Sequence, residues 1–124
     1  MRKMIRRILF VDDDTIQHMI NKKNLLKLNP ELELFFFENP NNALNWLEEN
    51  DADLLILDVN MPEMRGWDFL DLLKSRGRTI EVKMLTSSMD PEDIQMSMDY
   101  EMVSGFLVKP LKNEIMAEIL GIEN

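Results

Sequence analysis

A run of four consecutive apolar residues, Leu54 to Leu57, ends abruptly at the carboxylate of Asp58. Such an uninterrupted run is typical of a strand buried on both faces, as in a parallel sheet. A turn marked by Pro62 and Gly66 follows it. In open α/β sheets the ligand site lies just beyond the carboxyl ends of the strands, so Asp58 is a candidate functional residue. Because a single aspartate in this position is also a common turn former, its meaning depends on the ends of the other strands.

The composition is that of one ordinary globular domain. The chain has 124 residues, of which 45% are hydrophobic and 30% charged, enough to bury one core. Because 14 basic side chains face 23 acidic ones, the net charge of −9 argues against direct nucleic-acid binding. The absence of cysteine excludes disulfides and thiolate metal sites. No apolar run approaches the length of a membrane span or of a signal-peptide core. We therefore expect a cytoplasmic protein with no membrane partner.

Strand-like and helix-like segments alternate five times along the chain. Asp14, Asn39-Pro40 and Asp90-Pro91 provide capping signals at the starts of three helices. Short connections between alternating elements favour a parallel sheet with helices on both faces. The predicted strands are 8–11, 33–38, 53–58, 80–86 and 105–108, and the predicted helices are 15–28, 40–49, 67–76, 91–100 and 112–120.

Charged or hydroxyl side chains stand at the carboxyl ends of four of these strands. Parallel strands would bring Asp12, Asp13, Asp58, Thr86 and Lys109 to one edge of the sheet. Carboxylates crowded together raise one another's pKa and are best tolerated around a hard cation such as Mg²⁺. A cation, an ammonium group and a hydroxyl around a carboxylate can together accommodate a phosphoryl group. An ionised carboxylate also needs no general base in order to attack phosphorus.

Four segments of the chain carry a family resemblance. They are Phe10-Val11-Asp12-Asp13-Asp14, Leu57-Asp58-Val59-Asn60-Met61-Pro62-Glu63-Met64-Arg65-Gly66, Met84-Leu85-Thr86-Ser87-Ser88 and Gly105-Phe106-Leu107-Val108-Lys109-Pro110. In this order and spacing they resemble the receiver domain of two-component response regulators, in its stand-alone form. The resemblance covers essentially the whole chain. It implies a flavodoxin-like, doubly wound (βα)5 fold with a five-stranded parallel sheet in the order 2-1-3-4-5.

The resemblance also assigns roles at the acidic edge. It implies that Asp58 is the phosphoacceptor, which receives a phosphoryl group from a phosphohistidine on a histidine kinase or a phosphotransfer protein. Together with Asp58, Mg²⁺ would be bound by Asp13 directly, by Asp12 through water and by the backbone carbonyl of Asn60.

Further residues complete the expected switch. The resemblance implies that Lys109 pairs with the phosphoryl oxygens, that Thr86 donates a hydrogen bond to one of them, and that the Lys109–Pro110 bond is cis. Phe106 occupies the aromatic switch position. Thr86 and Phe106 would together shift the surface of the fourth helix, fifth strand and fifth helix between two pre-existing states, and this surface would bind a downstream target protein.

The sequence also departs from the family pattern. Phe106 replaces a tyrosine that is often found there, so a phenolic hydroxyl is absent. Asp14 adds a third acid, which can serve as the helix cap. Asn60, Ser87 and Ser88 are expected next to the phosphoryl group, where Asn60 and Ser88 would influence how fast water attacks the acyl phosphate.

Several residues outside this edge have simpler interpretations. His18, the single histidine, is expected on the surface of the first helix, and Trp46 and Trp67 are expected at the rims of their helices. Ile16 and Met19 of the first helix lie near the acidic edge, and we hypothesise that they form an apolar docking surface for the phosphodonor protein.

The methionines around the fourth helix form a separate group. At helical spacing Met98 and Met102 align with Ile94 and are expected in the core. Met96 lies off that stripe and is expected to be exposed, where it would contribute to a partner patch.

Two other functions remain open at this point. The chain could be a receiver-like interaction module that is never phosphorylated, although such modules usually lack one of the acids, the threonine or the lysine. It could also be a phosphatase of the haloacid dehalogenase type, because residues 12–16 nearly match that family's first motif. On the predicted helix after Lys109, however, the only acids are the scattered Glu114 and Glu118, and that assignment leaves Asp58 unexplained. We expect residues 1–124 to form one receiver domain without an output domain.

Overall fold

The apolar run at residues 54–57 forms the central strand of a five-stranded sheet in the computed structural model, which describes residues 4–122. Strands and helices alternate throughout, as predicted. In chain order the elements are β1 (Arg7–Val11), α1 (Thr15–Leu28), β2 (Glu33–Phe37), α2 (Pro40–Glu49), β3 (Leu54–Asp58), α3 (Gly66–Ser75), β4 (Val82–Thr86), α4 (Pro91–Ser97), β5 (Val103–Val108) and α5 (Asn113–Leu120).

All neighbouring strands pair in parallel, in the predicted order β2-β1-β3-β4-β5. The register aligns the carboxyl ends of the strands. Val11 of β1 lies opposite Leu57 of β3, so the residues that follow, Asp12 and Asp58, emerge side by side. Thr86 of β4 lies opposite Val108 of β5, directly before Lys109. The register therefore brings the predicted site residues to one edge.

The sheet separates two hydrophobic clusters. Every residue of β3 is buried, and its side chains alternate between the two clusters. One cluster lies beneath α2 and α3 and includes Leu55, Leu57 and Phe69. The other lies beneath α1 and α5 and includes Leu54 and Ile56. Both faces of the sheet are thus covered by helices, which explains the continuous apolar sequence of its central strand.

The termini of several elements differ from the prediction. Helix α4 ends at Ser97, and hydrogen bonds with three-residue spacing continue as tight turns to Tyr100. Strand β5 begins at Val103, two residues before the predicted Gly105, and an irregularity in its pairing with β4 follows Val82. Strand β4 begins at Val82 instead of Ile80. Such end effects depend on pairing partners that a local pattern does not contain.

Three burial predictions were wrong, at His18, Trp67 and Met98. His18 is buried on the inner face of α1, with its ring 5.0 Å from that of Phe36. Trp67 of α3 is only 2% exposed because its ring packs on Tyr100 and Phe106 in the α4–β5 region. Met98 is 72% exposed, since α4 ends just before it and the helical stripe is not continued.

The burial of other side chains agrees better with the predictions. Met96 is exposed, as predicted, but Ile94 in the proposed core stripe is also exposed. Met102 is half-buried against the cluster under α2 and α3, and Trp46 is half-buried against Phe35. Across residues 4–122, every helix is too short or too polar to cross a lipid bilayer.

Candidate functional site

Three carboxylates meet at the carboxyl edge of the sheet. Asp12 follows β1 and Asp58 ends β3, and both are buried, whereas the neighbouring Asp13 is exposed. One carboxylate oxygen of each residue lies within 4.8 Å of an oxygen of the other two. The structure thus brings together all three acids that the sequence placed at this edge.

Lys109 is the cation at the centre of this site. It follows β5, and its Nζ lies 2.9 Å from Oδ2 of Asp12 and 3.2 Å from Oδ2 of Asp58. The Lys109–Pro110 peptide bond is cis, as predicted. The backbone N–H of Lys109 donates to the carbonyl oxygen of Thr86 at 2.8 Å, which fixes the start of this connection against β4. The ammonium group therefore bridges the two buried carboxylates.

The two buried carboxylates differ in protonation behaviour. Burial, followed by the charge of Asp12, raises the pKa of Asp58 to about 6. Burial also opposes the charged form of Asp12, but hydrogen bonds from Lys109 and the Asp14 backbone outweigh it, so the pKa of Asp12 is lowered. The prediction that crowding raises the pKa of these acids thus holds for Asp58 and fails for Asp12. Burial disfavours the ammonium form of Lys109, yet its two carboxylate partners raise its pKa.

The donor set suits a hard divalent cation. Oxygen ligands from a few carboxylates are what Mg²⁺ binds, with water completing its coordination. Asp12, Asp13 and Asp58 offer three carboxylate oxygens at one edge, and the exposure of Asp13 leaves an approach from solvent. With three acids beside a single lysine, the site carries excess negative charge. The residues present therefore fit the magnesium ion that the sequence predicts.

The residues predicted to contact the phosphoryl group differ in burial and in hydrogen-bond partners. The Thr86 side chain is buried at the end of β4, and its hydroxyl donates to the carbonyl oxygen of Ser88 at 2.7 Å. Ser87 and Ser88 are exposed on the loop that follows. The backbone N–H of Asn60 donates to Oδ1 of Asp58 at 3.1 Å. Oδ1 of Asp58 is thus held by the backbone, while Oδ2 faces Lys109.

Phe106 lies on the neighbouring strand β5. Its ring is half-buried, and its centroid lies 6.5 Å from that of Trp67 in an edge-to-face arrangement. Phe106 is therefore placed between the sheet and α3.

Two supporting residues were not recognised from the sequence. A Cβ atom on Gly66 would lie 2.6 Å from the carbonyl oxygen of Asp58, so the absence of a side chain lets α3 approach the end of β3. In the sequence, Gly66 is recognisable only as a residue of the turn after Asp58 and of the segment that resembles the family. Nε2 of His18 lies 2.7 Å from the backbone carbonyl oxygen of Asp12 and can donate to it in the Nε2–H tautomer. No local pattern indicated this contact, because it depends on how α1 packs.

These features define a parallel α/β domain with an acidic, lysine-bridged site at the switch point of its sheet. The family model for the response regulator receiver domain matches residues 8–120, and the chain belongs to this family.

Among curated proteins, the cyclic di-GMP phosphodiesterase response regulator RpfG of Xanthomonas campestris is 32% identical over 107 residues, which are 85% of this chain and 28% of that protein. The transcriptional regulatory protein FlgR of Helicobacter pylori is 34% identical, over 90% of this chain and 28% of that protein. The chain thus spans just over a quarter of these two relatives. The chemotaxis protein CheY1 of Helicobacter pylori is 29% identical, with 94% of each chain covered.

Solved structures agree with this assignment. The chemotaxis protein CheY4 of Vibrio cholerae is similar with a TM-score of 0.80 and 28% identity, over 94% of this chain and 97% of that chain. A two-component response regulator of Cytophaga hutchinsonii gives a TM-score of 0.81 at 26% identity, with 96% of each chain covered. The chain is therefore a CheY-like receiver domain of two-component signalling.

Proposed function

We propose that this receiver acts as a phosphorylation-dependent switch, in which Asp58 accepts a phosphoryl group from a phosphohistidine on a histidine kinase or phosphotransfer protein in the cytoplasm. The observation that carries this proposal is the pairing of Lys109 Nζ with the buried Asp58 Oδ2 at 3.2 Å, beside two further carboxylates. A buried nucleophile, an adjacent cation and a cation-binding acidic cluster are the groups that phosphoryl transfer to a carboxylate requires.

The proposed reaction uses few protein groups. The carboxylate of Asp58 attacks phosphorus, the bond from phosphorus to the donor imidazole nitrogen breaks, and the electron pair of that bond stays with the imidazole. Because the attacking group is already ionised, no general base takes part. Lys109 neutralises the charge of the transferred group, while Asn60 keeps Oδ1 of Asp58 in place through its N–H. The product is an acyl phosphate on Asp58.

Asp12, Asp13, Asp58 and the backbone carbonyl of Asn60 would hold Mg²⁺ at this site. When bound, Mg²⁺ neutralises negative charge on the carboxylates and on the phosphoryl oxygens. Hydrolysis by water would then restore Asp58. Asn60 and Ser88 are exposed, and we expect their side chains to influence how fast this water attacks the acyl phosphate.

In the proposed switch, Thr86 exchanges its hydrogen bond to Ser88 for one to a phosphoryl oxygen, and Phe106 changes its packing. The α4–β5–α5 surface would respond and bind a target protein. That surface presents exposed apolar side chains suited to a protein partner, namely Met89, Ile94, Met96, Met98, Val108 and Ile115.

The proposal is tested by intact-mass measurement after incubation with acetyl phosphate and Mg²⁺. We expect the chain to gain the mass of one phosphoryl group, and we expect no gain with Asp58→Asn or without Mg²⁺. Rapid hydrolysis could remove the adduct, so beryllofluoride binding, followed by NMR, provides a second readout.

Failure of the chain to bind either phosphoryl probe would contradict the proposal. It would favour the alternative of an interaction module that functions without phosphorylation, which retains the fold and its exposed surfaces.

A further inference from the structure

Trp67 connects α3 to α4 through a buried polar contact. It lies in the first turn of α3, and its indole Nε1–H donates to Oδ1 of Asp93 in α4 at 3.2 Å. Asp93 is buried, and Nη2 of Arg65 lies 3.4 Å from the same oxygen. We refer to the interaction of Arg65, Trp67 and Asp93 as the Trp67–Asp93 contact. It attaches the first turn of α4 to the first turn of α3.

The same indole also contacts the region beyond α4. Its ring stacks on Tyr100 with centroids 5.2 Å apart, and its edge-to-face partner is Phe106 of β5. The hydroxyl of Tyr100 donates to Oδ1 of Asp71 in α3 at 2.9 Å. Trp67 therefore touches α4, the α4–β5 connection and β5. These are the parts that move relative to one another in the proposed switch.

A short segment links this contact to Thr86. The hydroxyl of Thr86 donates to the carbonyl of Ser88, and the side chain of Asp90 then caps α4 by accepting from the N–H of Glu92 at 2.9 Å. If Thr86 turns toward a phosphoryl group, its bond to Ser88 is lost and the loop before α4 must rearrange. That loop leads directly into the turn that carries Asp93, which the indole of Trp67 holds.

On this geometry we propose that Trp67 is a positioning residue that retains α4 in its unphosphorylated arrangement and thereby opposes the switch. This inference rests on the proposed phosphorylation of Asp58. Trp67 sits next to Gly66, which packs on the carbonyl of Asp58, so the indole is anchored to the part of the core that carries the phosphoacceptor. A hydrogen bond to a buried carboxylate is among the stronger ones in proteins, and it favours the state in which it is intact.

The test compares Trp67→Phe with Trp46→Phe. Phenylalanine keeps an aromatic ring beside Tyr100 and Phe106 but lacks the indole donor. Trp46 packs on Phe35 and Phe37 of β2, away from α4, so its replacement is a matched control. Affinity for beryllofluoride in saturating Mg²⁺ is measured by NMR titration of the full chain. We expect Trp67→Phe to bind about three- to tenfold more tightly than wild type, and Trp46→Phe to bind as wild type does.

A second readout follows the indole hydrogen itself. In wild-type protein we expect the Trp67 Nε1–H to exchange slowly with solvent, and to exchange faster after beryllofluoride is bound. A role confined to packing would leave this hydrogen equally protected in both states, and that result would overturn the inference. If Trp67→Phe does not fold, Asp93→Asn weakens the same contact, and its affinity must then rise above that of wild type.

The outcomes separate the two proposals. Binding of beryllofluoride by wild type, with equal or weaker binding by Trp67→Phe, would overturn the role of Trp67 and leave the phosphoacceptor intact. Absence of binding by every form, Trp46→Phe included, would overturn the proposed function and this inference with it.

Discussion

Gly66 is a single residue on which the geometry of the acidic site depends. Its Cα lies so close to β3 that an added Cβ would be 2.6 Å from the carbonyl oxygen of Asp58 and 2.8 Å from Cε of Met84. The methionine end can move, but the backbone carbonyl cannot move without displacing Asp58. The residue is therefore needed for close approach, while its backbone conformation is one that other residues adopt.

We expect Gly66→Ala to destabilise the fold by about 1–3 kcal/mol, because overpacking against backbone forces α3 or β3 to shift. Urea denaturation measures this change, and Mg²⁺ affinity should fall in parallel. Gly105→Ala is the control, since its Cβ would meet only the end of the flexible Lys83 side chain at 3.3 Å. Equal stability of the two variants would show that α3 tolerates the extra atom.

Asp58 should make the stability of the protein depend on pH. Its pKa is raised from 3.8 to about 6 in the folded state, so the folded state binds its proton more tightly than the unfolded state does. The stabilisation that the folded state gains from this tighter proton binding is complete below pH 3.8 and is lost as the pH rises through about 6. Without Mg²⁺, ionised Asp58 should thus destabilise the fold by about 1–3 kcal/mol at neutral pH.

We therefore expect Asp58→Asn to gain stability over wild type as the pH is raised from about 5 to about 8 in the presence of a chelator. Denaturant unfolding of both proteins at the two pH values measures the difference. A stability difference that is the same at both pH values would mean that the pKa of Asp58 is not raised in the folded protein.

At the scale of secondary-structure elements, α1 combines a buried polar face with an exposed apolar one. His18 and Asn21 are buried toward the sheet, while Ile16 and Met19 are 68% and 73% exposed. This inversion of the usual amphipathic pattern explains why the helix gives no clear apolar stripe in the sequence. Exposed apolar side chains beside the acidic edge suit a docking surface for another protein.

We expect Ile16→Ser to slow phosphoryl transfer from a histidine kinase or phosphotransfer protein by about tenfold, because burial of one such side chain contributes on the order of 1–2 kcal/mol to docking. Phosphorylation by acetyl phosphate should stay unchanged, since that small donor needs no docking surface. Leu72→Ser, at an exposed position of α3 under the other face of the sheet, is the control. If both variants accept the phosphoryl group at the same rate, α1 does not form the docking surface.

At the scale of the whole molecule, the acidic site couples ligand binding to folding. Asp12 and Asp58 are 46 residues apart in the chain, so the unfolded chain does not hold their carboxylates together. Any cation that binds the folded site therefore stabilises the fold by mass action.

We expect Mg²⁺ at about 100 times its dissociation constant to add about 2.7 kcal/mol to the free energy of unfolding, with the melting temperature rising accordingly. Asp13→Asn should lose most of this gain. Because Asp13 is exposed and its amide variant is close in size, its stability without Mg²⁺ should stay near that of wild type. A gain of the same size in Asp13→Asn would place the bound cation elsewhere.

The sequence by itself determined the alternation of elements, the buried central strand and the residues that collect at its edge. These follow from local rules: an apolar run such as Leu54 to Leu57 is typical of a strand buried on both faces, and parallel strands share one carboxyl edge. The strand order and the cis bond before Pro110 came from the family resemblance, and the structure confirms both.

Only the tertiary structure decided which residues support that edge. The burial of His18 and Trp67 depends on partners that are distant in sequence, such as Phe36 and Asp93, and periodicity within one helix does not contain that information. The pKa values of Asp12 and Asp58 likewise shift in opposite directions for reasons of tertiary structure: burial and the charge of Asp12 raise the pKa of Asp58, whereas Lys109 and the Asp14 backbone outweigh burial at Asp12. Local sequence sets which elements form, whereas the distances between side chains from different elements set their electrostatics and their contacts.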